Sequence, residues 1–129
     1  MAQVKIYGRR EVLIPNRARW SDLIQNALVA ALGLPKDKRF QRFFPLDGED
    51  FLYPSDRTSA YTILEISMFE GRSPDSIKAL LRKLMDDAKS EFGMHPNDLE
   101  ITISESPRRC WGIRGKIGDE LELSYKVNV

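Results

Sequence analysis

The sequence predicts a single α/β (α+β) domain over residues 1–129: a mixed sheet with two helices on one face, built as two β-α-β halves at about residues 1–58 and 59–129. Three observations carry this reading. Residues 61–69, YTILEISMF, are rich in the β-branched and aromatic types that suit a strand. Two stretches place apolar residues at helical spacing: Trp20, Leu23, Ile24, Ala27, Leu28, Ala31 and Leu32, then Ile77, Leu80, Leu81, Leu84, Met85, Ala88 and Phe92. Each stops at a glycine, Gly33 and Gly93, in the usual C-cap position. Strand-like segments flank both helices, so each half reads strand, crossover helix, strand, which implies parallel pairing through a right-handed connection.

Taken in order, residues 3–7 read as a strand with Val4 and Ile6 on one side, ended by Gly8. Residues 9–15 read as a loop closed by Pro15, with Asn16 as N-cap of the first helix. Residues 39–44 form a second strand, and residues 51–53 a short edge strand before Pro54. In the central strand one alternate set is Leu64, Ile66 and Met68 and the other is Tyr61, Ile63, Glu65 and Phe69. Neither side reads as wet, so this strand is expected to be covered on both faces. Gly71 breaks it, Ser73 offers an N-cap, Pro74 suits the first helical position and Asp75 complements the helix dipole. Leu99, Ile101 and Ile103 alternate on the next strand. Residues 107–119 form a glycine-bearing loop, and Leu121, Leu123, Tyr125, Val127 and Val129 then alternate against a polar companion face, predicting a sixth strand or an extended arm.

Two helices cover one face of such a sheet. The second face of the central strand would leave large apolar side chains wet, each worth about 1.5–3 kcal/mol when buried. The expected cover is another copy of the chain.

Composition narrows the chemistry. Twenty Lys and Arg against 19 Asp and Glu leave a net charge of +1, so neither nucleic acid nor a membrane surface is an expected partner. One cysteine, Cys110, and one histidine, His95, are too few for a protein-only zinc site, and no metal or cofactor is implied. There is no signal-peptide pattern and no apolar run of membrane-spanning length, so the expected location is cytoplasmic.

A few residues stand out. Arg72 sits at the corner between the central strand and the second helix, where by position alone it reads as a solvated neighbour of the cap. Glu65 lies mid-strand among apolar residues, where a buried carboxylate needs an arginine partner or a raised pKa; Arg42 and Arg114 are the candidate partners. Trp111, in a glycine-bearing loop, reads as a packing anchor. Cys110 reads as a small buried filler and His95 as a surface turn residue.

Ala30-Ala31-Leu32-Gly33-Leu34-Pro35, Arg39-Phe40-Gln41, Gly71-Arg72-Ser73, Phe92-Gly93 and Arg109-Cys110-Trp111-Gly112 together resemble the tautomerase superfamily. The similarity is to its longer-chain subgroup, which includes malonate semialdehyde decarboxylase and cis-3-chloroacrylic acid dehalogenase. The resemblance implies a homotrimer whose sheets enclose a barrel, with active sites near subunit boundaries. It also implies a small keto or enol carboxylate as ligand, bound by Arg72 with Trp111 near the pocket; Arg42 and Arg114 are further candidate substrate-binding residues. Members of that family expose an N-terminal proline as acid or base. This chain has Ala2 after Met1, and methionine before alanine is commonly excised, so the expected catalytic group beside Arg72 is the N-terminal amine of Ala2, or of Met1 where it is retained. An ordinary α-amine, with a pKa of about 7.7–8.0, is partly neutral near pH 7. A second departure is Lys38, where the decarboxylase-like members carry an acid. The implied activity is weak proton transfer; the alternative is a non-catalytic, anion-binding or scaffold trimer.

Overall fold

The computed structural model describes residues 1–129. Strand β1 (Ala2–Arg9) is followed by a single helical turn α1 (Arg10–Leu13), helix α2 (Arg17–Leu32) and strand β2 (Gln41–Leu46). The second half repeats this order with β3 (Thr62–Phe69), α3 (Pro74–Phe92) and β4 (Leu99–Ser106). A small hairpin, β5 (Gly112–Ile113) and β6 (Lys116–Ile117), precedes the C-terminal arm. The sheet runs β2-β1-β3-β4, with β1/β2 and β3/β4 parallel and β1/β3 antiparallel between them. Each crossover is one long helix, as the spacing of its apolar residues predicts.

Both helices lie on one face. Val4 and Ile6 of β1 and Leu64, Ile66 and Met68 of β3 share a single core with Trp20, Leu23, Ile24, Ala27 and Leu28 of α2 and Leu80, Leu84 and Ala88 of α3. Glycines at positive φ, Gly33 (68°) and Gly93 (63°), end the helices, and the Ser73 hydroxyl accepts from the Ser76 N–H at the start of α3. Asn16 does not cap α2; its side-chain amide donates back to the Val12 carbonyl at 2.8 Å.

Several expectations fail for identifiable reasons. Residues 9–15 are mostly α1 and a 3-10 turn, because Leu13 must reach the core beside Gly8. Residues 51–53 are not a strand; Phe51 and Tyr53 turn their rings into an aromatic cluster with Tyr61. The alternating stretch 121–129 forms no sixth strand and takes the other expected form, an arm. Its ends are pinned by other bonds: Arg108 donates to the Leu121 carbonyl at 2.8 Å, and the Ser73 N–H donates to the Val129 carbonyl at 2.7 Å.

The second sheet face is polar. Register places Gln3, Lys5 and Tyr7 beside Arg42 and Phe44 on one side and beside Ile63, Glu65 and Ser67 on the other, with Glu100, Thr102 and Ser104 beyond. Glu65 is exposed on this face rather than buried, opposite Lys5, and holds the Tyr7 phenol pKa up. The apolar side chains there, Ile63, Leu46 and the Tyr7–Phe44 stack at 4.8 Å, are half-buried and interspersed with these polar groups, so the face is less apolar than β3 alone suggests. No helix is long and apolar enough to cross a membrane.

Candidate active site

The amine, the strand-helix corner and the C-terminal arm meet at one end of the sheet. Residue Ala2 pairs with Met68 near the end of β3, so the start of β1 lies beside the corner that carries Arg72. At that corner Gly71 has φ 127°, and a Cβ there would meet Asn128 Oδ1 at 2.7 Å and Val127 Cγ1 at 3.0 Å. Glycine therefore serves two needs, the reversed backbone and the close passage of the arm.

Arg72 is 5 % exposed. Its Nη1 donates to the Phe69 carbonyl at 3.1 Å, while Nε and Nη2 are buried without a partner. Burial pushes its pKa down, opposed by Tyr125 and the Glu105 carboxylate. The Met1 nitrogen donates to the Tyr125 hydroxyl, a contact that joins the two ends of the chain. Burial, then the positive charges of Arg72 and Arg108, lower the pKa of this amine to about 5. Burial likewise raises the Tyr125 phenol, which stays protonated at neutral pH.

A cavity of about 30 Å³ lies against the amine, lined by Met1, Ala2, Leu34, Lys38, Phe40, Arg114, Leu121, Leu123 and Tyr125. That volume holds a water molecule and little more. The hairpin carries Arg114 to the cavity at a turn with φ 52°, followed by Gly115 at 77°. Lys38 arrives on a loop fixed by buried Gln25, whose amide nitrogen lies 3.3 Å from the carbonyls of Pro35, Lys36 and Lys38.

Of the residues expected at the site, Ala2 and Arg114 line the cavity, but the free amine there is that of Met1, the Ala2 nitrogen being a peptide nitrogen of β1, and Arg72 acts on the Met1 amine through its charge. Trp111 stands one layer back, edge-on to Phe69 at 5.0 Å with its indole N–H on Ser106 Oγ at 2.8 Å. Arg42 is elsewhere: strand parity sends it to the polar face, where it donates to Gln3 Oε1 at 3.0 Å. Neither Arg42 nor Arg114 forms an ion pair with Glu65. Cys110 is exposed, not buried, because the turn of residues 108–110 faces outward. Sequence reasoning missed Tyr125 and Arg108. Arg108 lies over the Phe69 ring at 5.6 Å and donates to the Gly118 and Leu121 carbonyls, so it braces the loop from which the arm departs.

A family model described as Tautomerase enzyme matches residues 38–114, more than half of the chain. The chain belongs to the tautomerase family. Solved structures share the fold of this tautomerase-family protein at low identity. Malonate semialdehyde decarboxylase is 19% identical with a TM-score of 0.78, covering 89% of this chain and 93% of that one. N1, a member of the cis-3-chloroacrylic acid dehalogenase family, is 17% identical with a TM-score of 0.77, covering 89% and 82%. A fused 4-OT, described as an asymmetric trimer, is 18% identical with a TM-score of 0.79, covering 92% and 97%. Membership supports an activity of the isomerase, decarboxylase or dehalogenase kind.

Proposed function

We propose that this protein is a tautomerase-like proton-transfer enzyme for a small keto or enol carboxylate, with Arg72 as the carboxylate clamp and the N-terminal amine as the base. The observation that carries this reading is the free edge of Arg72. With Nη1 held by the Phe69 carbonyl, the adjacent Nε and Nη2 are the pair that meets both oxygens of a carboxylate. A buried guanidinium with two unused donors favours such a ligand, because unpaired buried polar groups are costly.

The amine supplies the direction of the chemistry. A pKa of about 5 leaves it neutral at pH 7, fit to remove a proton from carbon and poorly fit to donate one at the outset. With the carboxylate on Arg72, the amine takes the proton α to the carbonyl and returns it at the other end of the enol system. The Tyr125 hydroxyl and the Arg114 guanidinium, which line the cavity, would stabilise an enolate oxygen as it gains charge. Lys38 in the cavity wall offers no carboxylate to activate water, which argues against hydration. A primary amine lacks the rigidity of a proline, so turnover is expected to be low.

Intact mass first establishes the free terminus; ketonisation of phenylenolpyruvate or 2-hydroxymuconate is then followed by absorbance. Turnover above buffer that disappears on N-acetylation supports the enzyme. No turnover in the unmodified protein, and none in a methionine-free Ala2→Pro variant, sinks it. The cavity, too small for a keto acid, favours a second reading: a non-catalytic trimer that binds a small anion or acts as a scaffold. Binding of a small anion such as formate by calorimetry, without turnover of either enol, would select that reading. A homotrimer is proposed in either case, supported by the trimeric 4-OT of the same fold.

A further inference from the structure

We propose that this protein has a second ligand site, for a one-ring aromatic carboxylate, at the far end of the sheet from the amine. The site is the counterpart of the amine cavity in the other half of the repeat. Positions 60 apart correspond: Val4 pairs with Gln41 as Leu64 pairs with Ile101, and Gly33 ends α2 as Gly93 ends α3. The antiparallel pairing of β1 with β3 puts the two copies at opposite ends, since Ala2 lies opposite Met68 and Thr62 opposite Gly8. The strand from Ala2 to Gly8 spans about 20 Å. Met1, Ala2 and Leu34 of the amine cavity therefore have Tyr61, Thr62 and Met94 as mates, and all three line a cavity of about 220 Å³.

The mate differs in its chemistry. The Tyr61 nitrogen is a peptide N–H that donates to the Thr58 carbonyl at 3.0 Å, so this end has no amine and is a site for binding alone. Three aromatic residues line it: Trp20 and Phe92, ring centroids 4.6 Å apart, and Tyr61. Such walls favour a flat ring. The charged residues of the lining are Arg9, Arg19 and Glu91. Arg19 neutralises Glu91, donating to its carboxylate at 2.8 Å while lying over the Phe92 ring at 4.7 Å. Arg9 is left to supply the excess positive charge. Its Nε is buried without a partner, and Nη2 on the same edge meets Glu11, a carboxylate 56% exposed, at 2.8 Å. An ion pair so open to water contributes little. A ligand carboxylate in place of Glu11 gains Nε as well as Nη2, the two-donor edge that carboxylates prefer. Arg9 follows Gly8 at the end of β1 as Arg72 follows Gly71 just past β3, so each copy of the site carries an arginine at its corner.

The test uses phenylacetate, which has the ring and the carboxylate but no ketone to enolise. In proton–nitrogen correlation spectra of the full-length protein, millimolar phenylacetate should shift the Trp20 indole N–H and the Thr62 amide along one saturable curve. Benzyl alcohol, which has the ring without the charge, should bind about tenfold more weakly, and phenylacetate should lose a similar factor on Arg9→Gln. The absence of a saturable shift at Trp20, equal binding of benzyl alcohol, or undiminished binding to Arg9→Gln each overturns the proposal. Shifts that saturate at Ala2 and Trp111 while Trp20 stays still would put the probe in the amine pocket and likewise overturn it. None of these readouts involves turnover, so the second site and the proton-transfer reading stand or fall separately.

Discussion

At Arg72 one hydrogen bond decides what the side chain offers. With Nη1 committed to the Phe69 carbonyl, Arg72→Ala would remove both donors proposed for the carboxylate, and kcat/KM for an enol carboxylate should fall about 10- to 100-fold, mainly through KM. Steady-state kinetics with phenylenolpyruvate checks this. The amine beside it sets the pH dependence. Because its folded pKa is depressed to about 5 from 8.0, kcat/KM should climb with pH up to about 5 and level off above. Stability carries the same signature: the unfolded chain takes up this proton near pH 8 and the folded chain only near 5, so stability should decline as pH falls between those values. Calorimetry of free and N-acetylated protein should show that slope only in the free form. Arg72 was legible in the sequence because the glycine before it and the Ser-Pro cap after it mark a corner. Tyr125 was not, because its partner is 124 residues away and its neighbours read as an alternating strand.

Among the elements, β1, α2 and α3 follow directly from their periodicities, since each buries one stripe against the same core, whereas β3 was legible as a strand from its residue types but not in which face it buries. Alternation misleads where no strand edge receives it. In residues 121–129 the pattern is satisfied by Leu121, Leu123 and Tyr125 turning onto the amine cavity, while side-chain and end contacts replace a backbone ladder. Gly71 is the hinge of that arrangement. Gly71→Ala should cost about 1–3 kcal/mol through its positive φ and should push Val127 and Asn128 outward. Limited proteolysis checks the prediction: cleavage within residues 121–129 should be faster than in the wild type, and unchanged cleavage would show that the arm does not depend on this contact.

For the whole molecule, the contrast between the two sheet faces matters most. The helix-covered face holds the core, and Leu64→Asp, which places an unpaired charge at a fully buried position, should cost more than about 3 kcal/mol and leave no cooperative thermal transition. The open face carries Lys5, Arg42, Glu65 and Glu100, a distribution the sequence concealed because Ile63 and Phe69 made β3 look apolar on both sides. Phe69 instead ends the strand fully buried under Trp111 and Arg108. The proposed trimer would therefore meet through polar side chains and the free edges of β2 and β4. Light scattering at micromolar concentration should give the mass of about three chains at low salt and a smaller mass as salt screens the charged face. A monomer at both salt concentrations would remove the trimer.

The bond from the Ser73 N–H to the Val129 carbonyl makes one amide hydrogen a clock. Ser73 precedes α3, outside the helical ladder, so its deuterium uptake reports departures of the arm and not unfolding of the domain. Exchange at Ser73 should be far faster than at Leu64, and a 2-oxo carboxylate that wedges the arm open should quicken Ser73 while leaving Leu64 untouched.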